Sequence, residues 1–284
     1  EVRTDTEVVS IDRAARTIQV THLPTQVTRT EPYDVLVLSP GAAPIRPPLP
    51  GVDLPGVFAV RNIPDTRRIR AWITEHQARR AVVVGGGFIG LEMVENLVHR
   101  ELTVSLLEKL PQVMPPLDPE MAAPLLDHLR AKGVQAHLGQ GLLAIEGGPG
   151  AGLTVVAEGG LRLETDFVIL ALGVRPENGL AREAGLAIGP KGGIVVDDQM
   201  RTSDPHIWAV GDVVEVHDVL TGQDTVLPLA GPANRQGRIA ATNALGGEMR
   251  YQGALGTSVV KIFEATAAMT GLSEKAARDA FSER

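Results

Sequence analysis

The stretch "AVVVGGGFIGLE", residues 81–92, sets four apolar residues ahead of Gly85, Gly87 and Gly90 in a GxGxxG spacing. The run before the glycines has the length and β-branched content of a buried strand, and the residues after it repeat their apolar positions at helical spacing. A carboxylate, Glu108, closes the next strand-like run 18 residues after Gly90. In that context the three glycines do different things. Gly85 makes the tight turn, Gly87 lets the backbone approach a pyrophosphate, and Gly90 lets helix and strand pack closely. The helix N-terminus then offers unpaired N–H groups to phosphate oxygens. Glu108 is placed to accept hydrogen bonds from adenosine ribose hydroxyls, and its charge repels a 2′-phosphate, so NAD(H) is expected over NADP(H). The neighbouring Lys109 weakens that repulsion slightly. For Glu92, placed by sequence in the first helical turn, a dipole-stabilised carboxylate and a catalytic role near the nicotinamide both fit.

A second stretch, "TSDPHIWAVGD" at 202–212, reads as a turn through Thr202, Ser203, Asp204 and Pro205, then a short apolar strand that delivers Gly211 and Asp212 to a sheet edge. An acid there either holds a polyol or closes a turn. The runs "VLVLSPG" and "FVILALG" share a form, each ending in a small-residue turn with a glycine, Gly41 and Gly173, where a backbone can approach a dinucleotide. The glycine-rich "GGPGAG" at 147–152 contains Pro149 and precedes no helical pattern, so it reads as a hairpin loop. The seven histidines show no HExxH or comparable ligand spacing, and neither GxSxG nor GxxxxGK[ST] occurs. No metal is expected, and most histidines are expected at the surface. The 284 residues contain no cysteine, which excludes a disulfide framework, thiolate zinc sites and thiol redox chemistry within this stretch.

The elements that must position these residues alternate strand and helix, which makes the fold class α/β. Strands are predicted to about residue 12, over 17–23, and over "YDVLVLSPG", whose unbroken apolar run suits a parallel sheet covered on both faces. Pro44, Pro47, Pro48, Pro50 and Pro55 make 42–56 an extended, helix-free domain boundary. A helix from 63, the strand before Gly85, a helix from 88 to about 100, the strand "TVSLLE" and a helix from 119 capped by Gly133 follow. Beyond them come "VQAHLG", hairpin strands near 153–165, the buried "FVILALG", the strands "GIVVDD" and "IWAVGD", a helix starting near Pro232, and a strand pair entering a helix.

Length allows roughly two domains. A net charge of −7 and an aromatic content of 3% argue against a nucleic-acid partner, and no uncharged apolar run is long enough to span a membrane. No leader pattern opens the sequence, so a cytoplasmic location is expected. The first residue is Glu1, and the opening strands lack a preceding unit, as in a piece of a longer protein.

With "SPGAAP", "GGGFIGLE", "ALGVRP", "TSDPHIWAVGD" and "PLAGPANRQGR" in this order, the chain resembles the FAD- and NAD(P)-dependent pyridine nucleotide–disulfide oxidoreductases, in particular coenzyme A-disulfide reductases and their NADH oxidase and persulfide reductase relatives. The resemblance implies two Rossmann-like domains. An FAD domain over 1–55 and 175–250, lacking its first βαβ unit, encloses an NAD(H) domain over 56–174, and residues 251–284 begin a C-terminal dimerisation domain. It places Val2, Ser39, Pro40, Gly41 and Ala42 near the FAD adenosine, and Gly211 and Asp212 at the flavin ribityl chain. Leu229, Ala230 and Ala233 stand at the helix N-terminus that faces the flavin. Phe88, Ile89, Lys109 and Gly173 join Gly85, Gly87, Gly90 and Glu108 around NAD.

The implied parent is a homodimeric flavoprotein that passes hydride from NADH to FAD and on to a cysteine disulfide or persulfide, most simply one involving coenzyme A. An NADH oxidase or peroxidase on the same scaffold is the alternative within the class, and a nucleotide-binding module without turnover is the alternative outside it. The family's redox cysteine and its own FAD-binding GxGxxG are expected before Glu1, so this stretch supplies binding and orientation.

Overall fold

The structure is a computed structural model that describes residues 1–148 and 152–281; the glycine-rich turn read at 147–152 thus lies outside the described residues over 149–151. Along the chain, β1 (Thr6–Asp12), β2 (Thr17–His22) and β3 (Val27–Pro32) form an antiparallel sheet, followed by β4 (Leu36–Leu38) and β5 (Ala42–Pro44). Then come β6 (Val57–Ala59), α1 (Ile63–Glu75), β7 (Arg80–Val84), α2 (Phe88–Val98), β8 (Thr103–Glu108), α3 (Pro119–Ala131) and β9 (Gln135–Leu138). An antiparallel meander of β10 (Leu142–Gly148), β11 (Gly152–Ala157) and β12 (Arg162–Thr165) leads to β13 (Phe167–Leu170). β14 (Val174–Pro176), α4 (Gly179–Glu183), β15 (Ile194–Val195), β16 (Ile207–Ala209), β17 (Val214–His217), β18 (Asp224–Val226) and α5 (Ala230–Ala244) precede the hairpin β19 (Ser258–Ile262) and β20 (Ala265–Met269) and the last helix, α6 (Glu274–Phe281).

Two compact units divide these elements, Glu1–Ala43 with Arg175–Gly256 and Pro44–Val174 with Thr257–Arg284. The second unit is built on a five-stranded parallel sheet of order β6-β13-β7-β8-β9, with β7 the first strand of the motif and the order reversing between β7 and β13. Side chains alternate across it as strand geometry requires. Ala81, Val83, Leu106, Phe167 and Ile169 face one core with α2 and α3, and Val82, Val84, Leu107, Val168 and Leu170 face another with the meander. Burial on both faces explains why these strands read as continuous apolar runs. α1 begins with a reciprocal cap: Asn62 Oδ1 accepts from the Asp65 N–H at 3.0 Å, and Asp65 Oδ2 accepts from the Asn62 N–H at 3.1 Å.

The first unit joins the β1–β3 sheet to the parallel pair β4 and β16, the sheet β15-β17-β18, and helices α4 and α5 around a separate core. Here the expected doubly covered strand at 33–41 is corrected. β4 spans three residues, pairs among the described residues with β16 alone, and leaves Val35 and Val37 exposed. Leu38 is buried while Val37 on the opposite face is exposed, so its apolar run is covered on one face only.

The two compact units divide at Ala43/Pro44, Val174/Arg175 and Gly256/Thr257. In the second unit Val260, Ile262 and Phe263 are buried in the core shared with α2 and α3, and Glu264 accepts from Lys132 Nζ at 2.8 Å. Strands β3, β6 and β18 are short or polar and carry no alternation that a sequence pattern resolves.

Ile169 is fully buried on the helix-facing side of β13, whereas Val259 on β19 is 67% exposed. Ile169→Ala is expected to cost ~2–5 kcal/mol of stability, and Val259→Ala less than ~0.5 kcal/mol. Denaturant unfolding of the two variants checks this.

Candidate nucleotide and flavin sites

At the C-terminal end of β7 the chain turns sharply through Gly85, whose φ of +110° lies in the region that favours glycine. A Cβ there would stand 2.3 Å from the Ala171 carbonyl oxygen, and one on Gly90 would stand 1.8 Å from the Gly85 carbonyl oxygen. Both positions are therefore closed to side chains by the protein's own backbone. Gly87 differs: a Cβ there meets nothing within 4 Å, so its missing side chain leaves open space in front of α2. Gly87 is also the N-cap of α2 and no side chain caps it, which leaves first-turn N–H groups available to an anion. Phe88 and Ile89 form that first turn. The open space at Gly87 and the uncapped first turn of α2 fit a pyrophosphate.

Glu108 ends β8 with 8% of its surface exposed, and both of its oxygens are engaged. Oε2 accepts from the Gly86 N–H at 2.6 Å and Oε1 from the Leu110 N–H at 2.7 Å. The carboxylate is thus fixed against the glycine loop, with lone pairs left for a ribose diol. Sequence reasoning passed over Gly86, the middle glycine, where a Cβ would sit 3.2 Å from Glu108 Oε2. Lys109 is exposed beside it, and Gly173 stands after β13 with its carbonyl accepting from the Ile45 N–H at 2.9 Å. The reading of Glu92 needs one correction. α2 begins at Phe88, so Glu92 is its fifth residue, exposed and beyond the first turn where a helix dipole acts most strongly.

In the first unit, β4 and β16 run parallel and their following turns leave from the same edge, with the Val210 N–H bonded to the Leu38 carbonyl at 3.0 Å. Ser39, Pro40, Gly41 and Ala42 leave β4, and Gly211 and Asp212 leave β16. Gly211 lies under the first turn of α5: its N–H donates to Gln236 Oε1 at 2.8 Å, and a Cβ on it would stand 3.9 Å from Ala233 Cβ. α5 starts at Ala230 with Leu229 as an uncapped N-cap, earlier than the start near Pro232 read from sequence. Pro232 is accommodated because first-turn N–H groups have no helical partner. Val2 is 91% exposed ahead of β1.

Gln236 is the positioning residue the sequence reading missed. It is 2% exposed on the buried stripe of α5 with Ile239, Ala240 and Asn243, and a polar residue on an apolar helical stripe is the signal that marks it. Burial pushes the Asp212 carboxyl above the usual aspartate range, and among the described residues it has no hydrogen-bond partner. An unpaired, partly desolvated acid at a parallel-strand edge fits a polyol ligand such as a ribityl chain. Among the described residues no cluster of three or more histidine or acidic side chains is placed to hold a metal, and no helix is long and apolar enough to cross a membrane.

Two outcomes follow from these geometries. Gly90→Ala is expected to cost ~1–3 kcal/mol through overpacking against the Gly85 carbonyl, whereas Gly87→Ala, which meets open space, stays within ~0.5 kcal/mol of the parent in thermal unfolding. For Asp212, a raised native carboxyl means that ionisation costs the folded state. Asp212→Asn is therefore expected to stabilise the protein at neutral pH, and the gain disappears as pH falls below the ordinary aspartate range. Unfolding midpoints measured between about pH 3 and pH 8 test the sign.

The profile of the pyridine nucleotide-disulphide oxidoreductase family matches residues 1–244. A curated protein of Methanocaldococcus jannaschii named NADH oxidase is 43% identical over 242 residues, 85% of this chain and 53% of that protein. The structure of reduced CoADR-RHD from Bacillus anthracis superposes with a TM-score of 0.91 at 48% identity, over 95% of this chain and 48% of that one. The structure of an NAD-dependent persulfide reductase from A. fulgidus gives a TM-score of 0.93 at 36% identity, over 98% and 51% respectively. The chain thus spans about half the length of the curated relatives it matches. The sequence profile and the relatives agree, and the chain belongs to the pyridine nucleotide-disulphide oxidoreductase family.

Proposed function

We propose that this chain is the nucleotide- and flavin-holding part of an NADH-dependent disulfide or persulfide reductase, with a coenzyme A disulfide or persulfide as the substrate class. The observation that carries the proposal is the glycine loop with Glu108 locked against it, because that pairing supplies donors for a pyrophosphate and a carboxylate for an unphosphorylated ribose. Nicotinamide and flavin, when bound, supply the hydride and two-electron chemistry. The chain's own residues bind and orient. Gly85, Gly87 and Gly90 admit the pyrophosphate, Phe88 and Ile89 present N–H groups, Gly173 borders the nicotinamide half, and Lys109 stands at the rim.

On the flavin side, Ser39, Pro40, Gly41, Ala42 and Val2 serve the adenosine, and Gly211 and Asp212 serve the ribityl chain. The uncapped start of α5 at Leu229, Ala230 and Ala233 turns its positive end toward developing negative charge on the ring. The sequence holds no cysteine, so a thiol that receives the electrons comes from outside these 284 residues. The names carried by relatives support the substrate class: a CoA-dependent NAD(P)H sulfur oxidoreductase of Pyrococcus abyssi is 36% identical, and a coenzyme A disulfide reductase of Staphylococcus haemolyticus 31%. A second reading, an NADH oxidase, is favoured by the Methanocaldococcus relative of that name. A homodimeric, cytoplasmic parent accords with both readings.

The test is direct. The purified chain is expected to bind NADH at least about tenfold tighter than NADPH, a difference of ~1.4 kcal/mol, and to take up FAD in near-stoichiometric amount by its visible absorbance. A preference for NADPH overturns the cofactor assignment, and failure to take up flavin reduces the chain to a nucleotide-binding module.

A further inference from the structure

In the first unit, β17 carries a carboxyl side chain inside an apolar run. Glu215 stands between Val214 and Val216 on the middle strand of the β15-β17-β18 sheet, and all three are buried. Alternation along a strand puts such a residue on the face opposite its apolar neighbours, where water usually solvates it. Burying it is costly unless its oxygens are satisfied. No arginine or lysine side chain pairs with it among the described residues. Its partners are backbone groups instead: Oε1 accepts from the Lys191 N–H at 2.6 Å and from the Gly193 N–H at 3.2 Å. The chain wraps closely around it, since a Cβ on Gly189 would stand 2.0 Å from Oε2 and one on Gly193 2.8 Å from Cγ. Within this loop the Gly189 N–H donates to the Gly193 carbonyl at 2.9 Å, and Asn178 Nδ2 braces the Gly192 carbonyl at 2.5 Å.

The residue after the loop reaches the Asp212 turn. The Ile194 N–H donates to the Val213 carbonyl at 2.8 Å, and the turn is closed by the Val214 N–H on the Gly211 carbonyl at 3.2 Å. Gln236 already holds the residue before Asp212. The residue after it is held by Ile194, whose place follows from the loop that Glu215 grips. Because the Asp212 side chain makes no hydrogen bond among the described residues, its direction is set by this backbone.

We propose that Glu215 is a positioning residue for the flavin site: by gripping the loop 189–193 it sets Ile194 against the Val213 carbonyl and so aims the Asp212 side chain at the strand edge. The role rests on the flavin reading above, since the aim of Asp212 matters to function only where a ribityl chain meets it.

The experiment measures FAD affinity of the purified chain by its visible absorbance, well below the unfolding transition of each variant. Glu215→Leu, which keeps the bulk and removes the acceptors, is expected to weaken FAD binding about tenfold. Glu215→Gln, whose amide oxygen still accepts both N–H groups, is expected to stay within about twofold of the parent. Asn178→Ala loosens the same loop without touching Glu215 and is expected to weaken FAD about threefold, so the outcome does not depend on whether Glu215→Leu folds. Unchanged affinity in the Leu and Ala variants overturns the role, and so does a loss in Glu215→Gln equal to that in Glu215→Leu. A ligand-free measurement separates positioning from plain stability. The stabilisation that Asp212→Asn brings at neutral pH is expected to shrink in the Glu215→Leu or Asn178→Ala background, because a loosened turn lets the carboxyl reach water. Strictly additive unfolding free energies overturn the positioning role. A parent chain that takes up no flavin removes the flavin reading, and the double substitution then still decides whether Glu215 governs Asp212.

Discussion

The contact on which the second unit depends is the seating of α2 against the turn that precedes it. With the Gly85 carbonyl where Cβ of residue 90 would otherwise be, the helix axis comes down on the strand end, and its first N–H groups face the space before Gly87. Any side chain at 90 lifts the helix and moves those donors. The same approach lets Leu91 and Val94 bury completely against the sheet, so a single missing methyl serves both the core and the placing of the helix start.

Glu108 makes the arrangement stiff. Its oxygens tie the loop at Gly86 to the chain at Leu110, which holds the carboxylate in one orientation. Preorganisation of this kind lowers the ordering cost of binding. The first unit reaches a comparable result with other means. A buried amide, Gln236, holds the Gly211 turn under α5, and the acid next to it is left unpaired at the cost of a strained ionisation. Groups left unsatisfied by the protein itself are where a ligand gains most by pairing.

How far the residues alone led varies with the kind of physics involved. Strands β7, β8 and β13 were readable as apolar runs because both their faces are buried, and α1, α2 and α3 by periodicity and caps. β3 and β18 were not readable, since a polar antiparallel strand gains its place from partners distant in sequence rather than from its own pattern. β4 looked like a doubly buried strand because its composition is apolar, and one uncovered face is invisible in composition. The hairpin at 257–269 read correctly as a strand pair, yet its place with the nucleotide unit rests on Phe263 and Ile262 entering a core made by α2 and α3.

The sequence alone specified the chemistry of single positions: a glycine where φ is positive or a backbone passes close, a carboxylate at a strand end, no thiol anywhere. These are local properties, set by covalent geometry and side-chain type. It took the folded chain to show which groups share an environment. Glu108 and Gly86 meet across 22 positions and Gly211 and Gln236 across 25. Such partnerships arise from packing between segments whose separation along the chain carries no record of their distance in space, which is why burial, unpaired acceptors and the seating of α2 emerge only in three dimensions.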